Sequence, residues 1–367
     1  MGEWKNVTQF RLEKRPEPSK AMLYLTPIGA VLATALVGAI VFSLIGYDGI
    51  GAVREIFLTP ILNPLKWQDL AVKSAPLIII AVGLSIGYRA NVWNIGAEGQ
   101  YVLGGLAATG VALLTRDFSG PWILPLMIAA GMIGGMAWAV IPAFLKTRLQ
   151  VNEILTSLML TYVAIQLLNY LIIGPWKDPM GFGFPQTRMF TDDQMLPRVI
   201  PGTIVHLGAP IAIVVAIAAW FFMSRSVLGY QIKVVGAAPS AARYGGFSVN
   251  KTIWLALLTS GALAGLAGVL EATGPFGRMV PSFPTNYGFT AIIVAFLGRL
   301  HPIGIIFAGL AMAVCVVGGE VAQTTIKLPV AAVGIFQAMM LFFLLASDVL
   351  VRYRVRVGTR REAEVAR

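Results

Sequence analysis

The side chains that could do chemistry are few, and their spacing excludes most enzymes. His206 and His301 are the only histidines, fall in different loops, and neither begins a His-Glu-x-x-His run that would set two metal ligands on one helical face. The run GLSIG at Gly83 to Gly87 matches a nucleophile-elbow pattern around Ser85, but it lies inside a long apolar stretch with no room for the strand-to-helix turn that such a serine needs. No Gly-Lys dipeptide occurs, so the chain lacks a phosphate-cradling loop and hydrolyses no nucleotide by that device. Cys315 is alone in an apolar stretch, which rules out a disulfide framework or thiolate metal cluster and predicts a buried, inert thiol.

What remains is polar groups set among apolar ones. Tyr88 to Gln100, YRANVWNIGAEGQ, places Arg89, Asn91, Asn94, Glu98 and Gln100 between two strongly apolar stretches, with Gly96 and Gly99 able to interrupt a helix. Two readings fit: a solvated turn, or a broken, re-entrant piece held at membrane depth, where irregular backbone survives only against protein or a water-filled path. The stretch EILTSLMLTYVAIQLLNYLII carries Ser157, Thr161, Gln166 and Asn169, which could line a polar route or bond across helices. Candidate path residues are therefore Asn91, Asn94, Glu98, Gln100, Ser157, Thr161, Gln166 and Asn169. Glu271, Glu320, Gln323 and Lys73 fall near the ends of apolar stretches, where interfacial solvation explains them as well as ligand contact does.

The elements that must position these groups are membrane helices. Of 367 residues, 57% are hydrophobic and 12% charged, about half the charge of a soluble domain. Apolar runs of roughly 20 residues recur with short polar breaks, each long enough to span a bilayer. Ten spans are predicted, at about 26–46, 70–88, 98–114, 122–145, 153–173, 208–223, 251–270, 286–300, 303–321 and 330–350, giving an all-α integral membrane protein. The first is too long for a signal-peptide core and is read as retained. The domain reading is a tail at 1–25, a transmembrane domain at 26–350 and a basic tail at 351–367.

With both termini in the cytoplasm, nineteen Lys and Arg fall inside and nine outside, in agreement with the positive-inside rule. The net charge of +11 is thus read as topology, because the basic residues are dispersed and form no stripe suited to nucleic acid. The longest outer loop, 174–207, is broken by Pro179, Pro185, Pro197 and Pro201, kept wet by Asp192 and Asp193, and placed to cap the outer mouth or meet a partner. The longest inner loop, 224–250, reads as two short helices: Val227 to Val235, a break at Gly236, a restart at Pro239, and a stop at Gly245 and Gly246. Gly131 with Gly135 and Gly261 with Gly265 mark close helix packing.

Five stretches add a resemblance: NVWNIGAEGQYVLGG from Asn91, NEILTSLMLTYVA from Asn152, GPWKDPMGFGFPQT from Gly174, GYQIKVVGAAPSAARYGG from Gly229 and YGFTAIIVAFLGRLHPIG from Tyr287. In order and spacing they resemble the permease subunits of bacterial ABC importers, in the simple-sugar and purine-nucleoside group related to the permeases for branched-chain amino acids. The resemblance implies a multi-pass protein of the bacterial inner membrane that forms half of an alternating-access path. Its partners would be a second permease, a cytoplasmic ATPase carrying the ATP and Mg2+, an extracytoplasmic substrate-binding lipoprotein, membrane lipid and a small-molecule solute, with no cofactor in this chain.

It further implies that the inner loop holds a coupling helix that docks the ATPase, through Gly236, Pro239, Ala241, Ala242, Arg243, Tyr244 and Gly245. Ala238, Gly245 and Thr161 depart from the usual pattern, the last bearing on solute choice. A nucleoside is the expected solute, with a simple sugar or branched-chain amino acid as alternatives; Trp93, Phe184 and Tyr287 are possible ring partners. The absence of an intramembrane cation cluster fits a neutral solute. An ion-coupled carrier would have to use Glu98, Glu271 or Glu320, and a membrane scaffold would leave the inner-loop motif unexplained.

Overall fold

The computed structural model describes residues 8–14 and 20–359, with side-chain surroundings for residue 22 and for 25–347. It divides into two compact units, one of Glu55–Val321 and the other of the residues up to Arg54 and from Ala322 onward.

The helices in chain order are α1 (Lys20–Leu44), α2 (Gly49–Phe57), α3 (Thr59–Leu62), α4 (Trp67–Arg89), α5 (Ala97–Leu114), α6 (Ile123–Leu149) and α7 (Glu153–Ile173). They continue with α8 (Gly208–Arg225), α9 (Val227–Ala237), α10 (Pro239–Tyr244), α11 (Val249–Glu271), α12 (Tyr287–Leu297), α13 (Pro302–Thr325) and α14 (Val330–Arg352). Among the described residues, eight helices are long and apolar enough to cross a membrane: α1, α4, α6, α7, α8, α11, α13 and α14. The other two expected spans are occupied differently. Only 11 residues of 286–300 form a helix, α12, which at about 1.5 Å per residue rises roughly 16 Å, about half a bilayer core. α5 has 18 residues and opens on Glu98 and Gln100, which lower its apolar character.

In the larger unit, α4 and α11 are buried along most of their length and form its centre. Close approach of α5, α6 and α11 is a consequence of glycine. A Cβ on Gly265 would overlap the carbonyl oxygen of Gly131, one on Gly135 that of Gly261, and one on Gly104 the backbone of Gly265. The glycines read as packing signals are therefore the seam of three helices, where dispersion contacts replace the hydrophobic drive that lipid cannot supply. A five-residue π-turn, Ala272–Phe276, ends α11 ahead of Gly277.

In the smaller unit α1 packs on α14, with Phe42 and Phe336 stacked at 6.2 Å and Gly38 beneath the Phe336 ring. The stretches left as tails depart from an all-helical reading. Thr8–Lys14 (β1) pairs antiparallel with Tyr353–Thr359 (β2), in a register that sets Thr8 opposite Thr359 and Lys14 opposite Tyr353. Both segments alternate polar with apolar residue types, FRLEK and YRVRV, a period-two pattern that their basic content hides.

Candidate functional site

The Tyr88–Gln100 segment is built into the protein. α4 ends at Arg89, and Asn91 takes a left-handed conformation (φ 57°), which short polar side chains tolerate best after glycine. From Val92 to Ile95 the chain has no regular secondary structure, and α5 starts at Ala97. This irregular piece runs alongside α7. The Ile95 N–H donates to Ser157 Oγ at 3.2 Å, Gly96 abuts Ser157, and Gly99 abuts Thr161. From Glu153, whose carboxylate accepts the Trp93 N–H at 3.4 Å, to Ser157, which Gly96 meets, is about 6 Å along a helix axis. The chain thus doubles back after α4 and climbs between helices before α5 begins. It is a broken helix packed in protein rather than a solvated turn.

Five of the candidate side chains hold this elbow together. The Asn94 amide donates to Gln100 Oε1 at 2.8 Å and to Ser260 Oγ at 3.0 Å, and its own oxygen accepts the Gly96 N–H at 3.1 Å. Glu98 is fully buried; one carboxyl oxygen accepts the Asn286 N–H at 2.9 Å and the other the Gly288 N–H at 2.6 Å. These amides open α12, so Glu98 satisfies donors that a helix start leaves without partners and sits at the positive end of its dipole. α5 and the short α12 therefore begin at one carboxyl group. Ser157 and Thr161 back this arrangement from α7 and are also buried.

The other three candidates lie elsewhere. Asn91 is exposed at the elbow, its side-chain oxygen accepting from the Trp93 indole at 3.2 Å. Gln166 and Asn169 lie on the opposite face of α7 from Ser157 and Thr161, bonded to each other at 3.3 Å. Ser260, Asn286 and Gly288 complete the elbow and carry no sequence signal, because a serine or a glycine in an apolar helix and an asparagine just before one are all ordinary. Of the possible ring partners, Trp93 packs on Tyr88 (4.8 Å) and Phe296 (5.9 Å), Tyr287 is buried edge-on to Tyr101 (6.2 Å), and Phe184 is exposed.

At the Arg89 end lie α9 and α10. Ser226 caps α9 by accepting the Gly229 N–H, and Ile232 enters a core with Ile86, Ala90, Val92, Ala143, Met223 and Ile253. Gly236 lies so close to the backbone of Arg89 and Ala90 that a Cβ would overlap it. Pro239 opens α10, Gly246 (φ 81°) follows it, and of its six residues only Ala242 is buried. Arg243 is exposed and Tyr244 is 98% exposed.

At the other end the 174–207 loop folds back on the chain after α11. The Thr187, Phe190 and Leu196 N–H groups donate to the carbonyls of Met279, Gly277 and Thr273, and Gln194 is buried with its amide on the Ala112 carbonyl. A cavity of about 450 Å3 there is lined by Trp176, Arg116, Lys177 and Arg188 among others. Lys73 pairs with Glu320 at 2.7 Å, while Glu271 is buried. His206 accepts the Gly208 N–H through Nδ1 at 3.1 Å, and Cys315 is buried as expected. No group of three or more metal-ligating side chains occurs among the described residues.

Eight spanning helices, a helix broken within the protein and an exposed helical pair at one end define a multi-pass membrane permease. The chain belongs to the family described as branched-chain amino acid transport system, permease component, whose model matches residues 67–345. It is the permease subunit of an ABC importer. It is similar to the glucose ABC transporter permease protein TsgB13 of Haloferax volcanii, 35% identical over 98% of this chain and 96% of that protein. The nucleoside ABC transporter permease protein NupB of Lactococcus lactis is 28% identical over 89% of this chain and 92% of its own length. The guanosine ABC transporter permease protein NupP of Bacillus subtilis is 30% identical, over 80% and 84% respectively.

Proposed function

We propose that this permease forms half of a translocation path for a nucleoside or related sugar-like solute and draws its power from a separate ATPase that docks on α10. The observation that carries the docking is the exposure of α10: a six-residue helix held by Ala242 alone, presenting Pro239, Ala241, Arg243 and Tyr244 outward. An apolar and aromatic surface on so short a helix is costly to leave in water and suits a protein groove. The ATPase carries ATP and Mg2+. A second permease completes the path, and an extracytoplasmic lipoprotein delivers the solute to the end that bears the 174–207 loop. Both termini are cytoplasmic, an orientation favoured by the Lys and Arg distribution.

The proposed route of coupling is mechanical. Force on α10 passes to α9, and through the Gly236 contact to the backbone of Arg89 and Ala90, where the elbow begins. The buried Asn94, Glu98, Gln100, Ser157 and Thr161 then act as the frame of the path, keeping α5 and α12 registered while the two permeases rock. Of the carboxyls an ion-coupled carrier would need, Glu98 is committed to two backbone amides and Glu320 is paired with Lys73.

The solute class rests on relatives named for nucleosides and guanosine, and a simple sugar is the second reading because TsgB13 is named for glucose. The test is uptake of labelled nucleosides and sugars into vesicles containing this chain with and without its second permease and ATPase. ATP-dependent uptake that requires all three is expected. Uptake driven by an ion gradient with this chain alone would overturn the reading.

A further inference from the structure

α7 has two unlike faces. Ser157, Thr161, Ala164, Leu168 and Ile172 recur at helical spacing and are buried. The opposite face is exposed at Leu155, Met159, Tyr162, Val163, Gln166 and Tyr170, with Asn169 half-buried at its edge. Tyr162, Gln166 and Asn169 follow one another at i, i+4 and i+7, so they form a single stripe.

The depth of that stripe matters. α7 has 21 residues, a rise of about 31 Å at 1.5 Å per residue, close to the thickness of the hydrocarbon core. Tyr162 stands near its middle and Gln166 about 6 Å further on. Facing lipid, the Tyr162 hydroxyl and the Gln166 amide nitrogen would have no partner, at about 4–8 kcal/mol for an amide or hydroxyl moved from water to hydrocarbon unbonded. The Gln166–Asn169 bond satisfies only one donor and one acceptor of two side chains that together offer several more. By contrast, the exposed mid-helix residues of α8, Ile213, Val214 and Ile217, are all aliphatic, as a lipid face requires.

We infer that the Tyr162–Gln166–Asn169 stripe is the solute-contacting wall of the path, and that its occupant is a neutral cyclic solute rich in hydroxyl groups. A tyrosine ring supplies a flat apolar surface, and two carboxamides supply donors and acceptors without charge, the combination that recognises a ring bearing hydroxyls while rejecting ions. The inference rests on the importer reading above. It assigns solute contact to the exposed face of α7 and leaves the buried elbow as frame.

The native chain makes the test clean, since its only cysteine, Cys315, is buried. Gln166→Cys and Asn169→Cys are placed in the complete importer, with Ile133→Cys and Ile217→Cys as lipid-facing controls, and treated with a charged, membrane-impermeant methanethiosulfonate. Thiolate forms in water and not in hydrocarbon, so the α7 positions should react about tenfold faster or more than the controls. A transported nucleoside or sugar should slow that reaction. Gln166→Leu should raise the KM for uptake about tenfold, since a site that bonds a polar solute loses a buried bond, with ATPase association unchanged. Labelling no faster than the controls, labelling unaffected by solute, or wild-type uptake by Gln166→Leu would each overturn the assignment. ATP-dependent uptake by the unmodified importer is measured alongside, so that loss of the α7 assignment is told apart from failure of the importer reading itself.

Discussion

The carboxyl group of Glu98 and the N–H of Gly288 meet at 2.6 Å, although 190 residues separate them, and the second carboxyl oxygen takes the Asn286 N–H. The contact needs the glycine: a Cβ on Gly288 would overlap the backbone of Glu98. One side chain thereby anchors the start of α12 to the first turn of α5. Glu98→Gln keeps the shape but offers one acceptor oxygen where two are used, leaving one buried amide unpaired at about 1–3 kcal/mol. The variant should assemble and show a lower thermal midpoint in detergent, and Gly288→Ala should lower it independently by displacing the same segment. An unchanged midpoint for both would mean that the clamp does not support the elbow.

A second test concerns the glycine seam. A Cβ on Gly265 would meet the Gly131 carbonyl and the Gly135 backbone, so even Ala forces α11 away from α6. Overpacking of a tight contact costs about 1–3 kcal/mol and often more where backbone must move. Gly265→Ala should reduce folded yield and thermal midpoint, whereas Gly334→Ala, with open space at its Cβ position, should not. Equal midpoints for the two variants would remove the seam from the account of stability.

His206 gives a pH dependence with a definite sign. It is buried at the end of the 174–207 loop, and burial holds its pKa below the ordinary 6.5. Its Nδ1 accepts the Gly208 N–H, which a protonated ring cannot do. The unfolded chain therefore binds a proton more readily than the folded one, so stability is complete above about pH 6.5 and declines as pH falls through the window below it. His206→Asn retains an acceptor for Gly208 and should flatten the acid side of a thermal-midpoint profile; a profile as steep as that of the native chain would exclude His206 as its source.

Much of this was legible from hydropathy and turn chemistry. The α9–α10 pair follows from Pro239 and the Gly245–Gly246 stop, although the break expected at Gly236 falls at Ala238, because α9 continues through Gly236 to Ala237; the seam follows from glycines four residues apart. Length alone misled at 286–300, where an apolar run contains only the short α12, because the left-handed Asn286 and the turn after Leu297 shorten the helix from both ends. The elbow was visible as polar residues in an apolar setting. Its partners were not, since Ser260 and Gly288 meet Asn94 and Glu98 only through the fold. Burial also divides the candidates in a way that spacing could not: Thr161 and Gln166, five residues apart on α7, face opposite directions.

The exposed side of α10 supports the sharpest functional prediction. Arg243 makes no ion pair with a described residue and projects beside Tyr244, whereas Ala242, one position earlier, is the helix's buried anchor. Arg243→Glu should leave the stability of the permease within about 0.5 kcal/mol of native, as exposed substitutions do. Copurification of the ATPase and ATP-dependent uptake should both fall, since a charge opposed across an interface costs several kcal/mol. Ala242→Asp should instead lower the midpoint by burying an unpaired carboxyl. If Arg243→Glu transports and retains its ATPase like the native chain, α10 is not the docking element, and the force that rocks the permease must enter elsewhere.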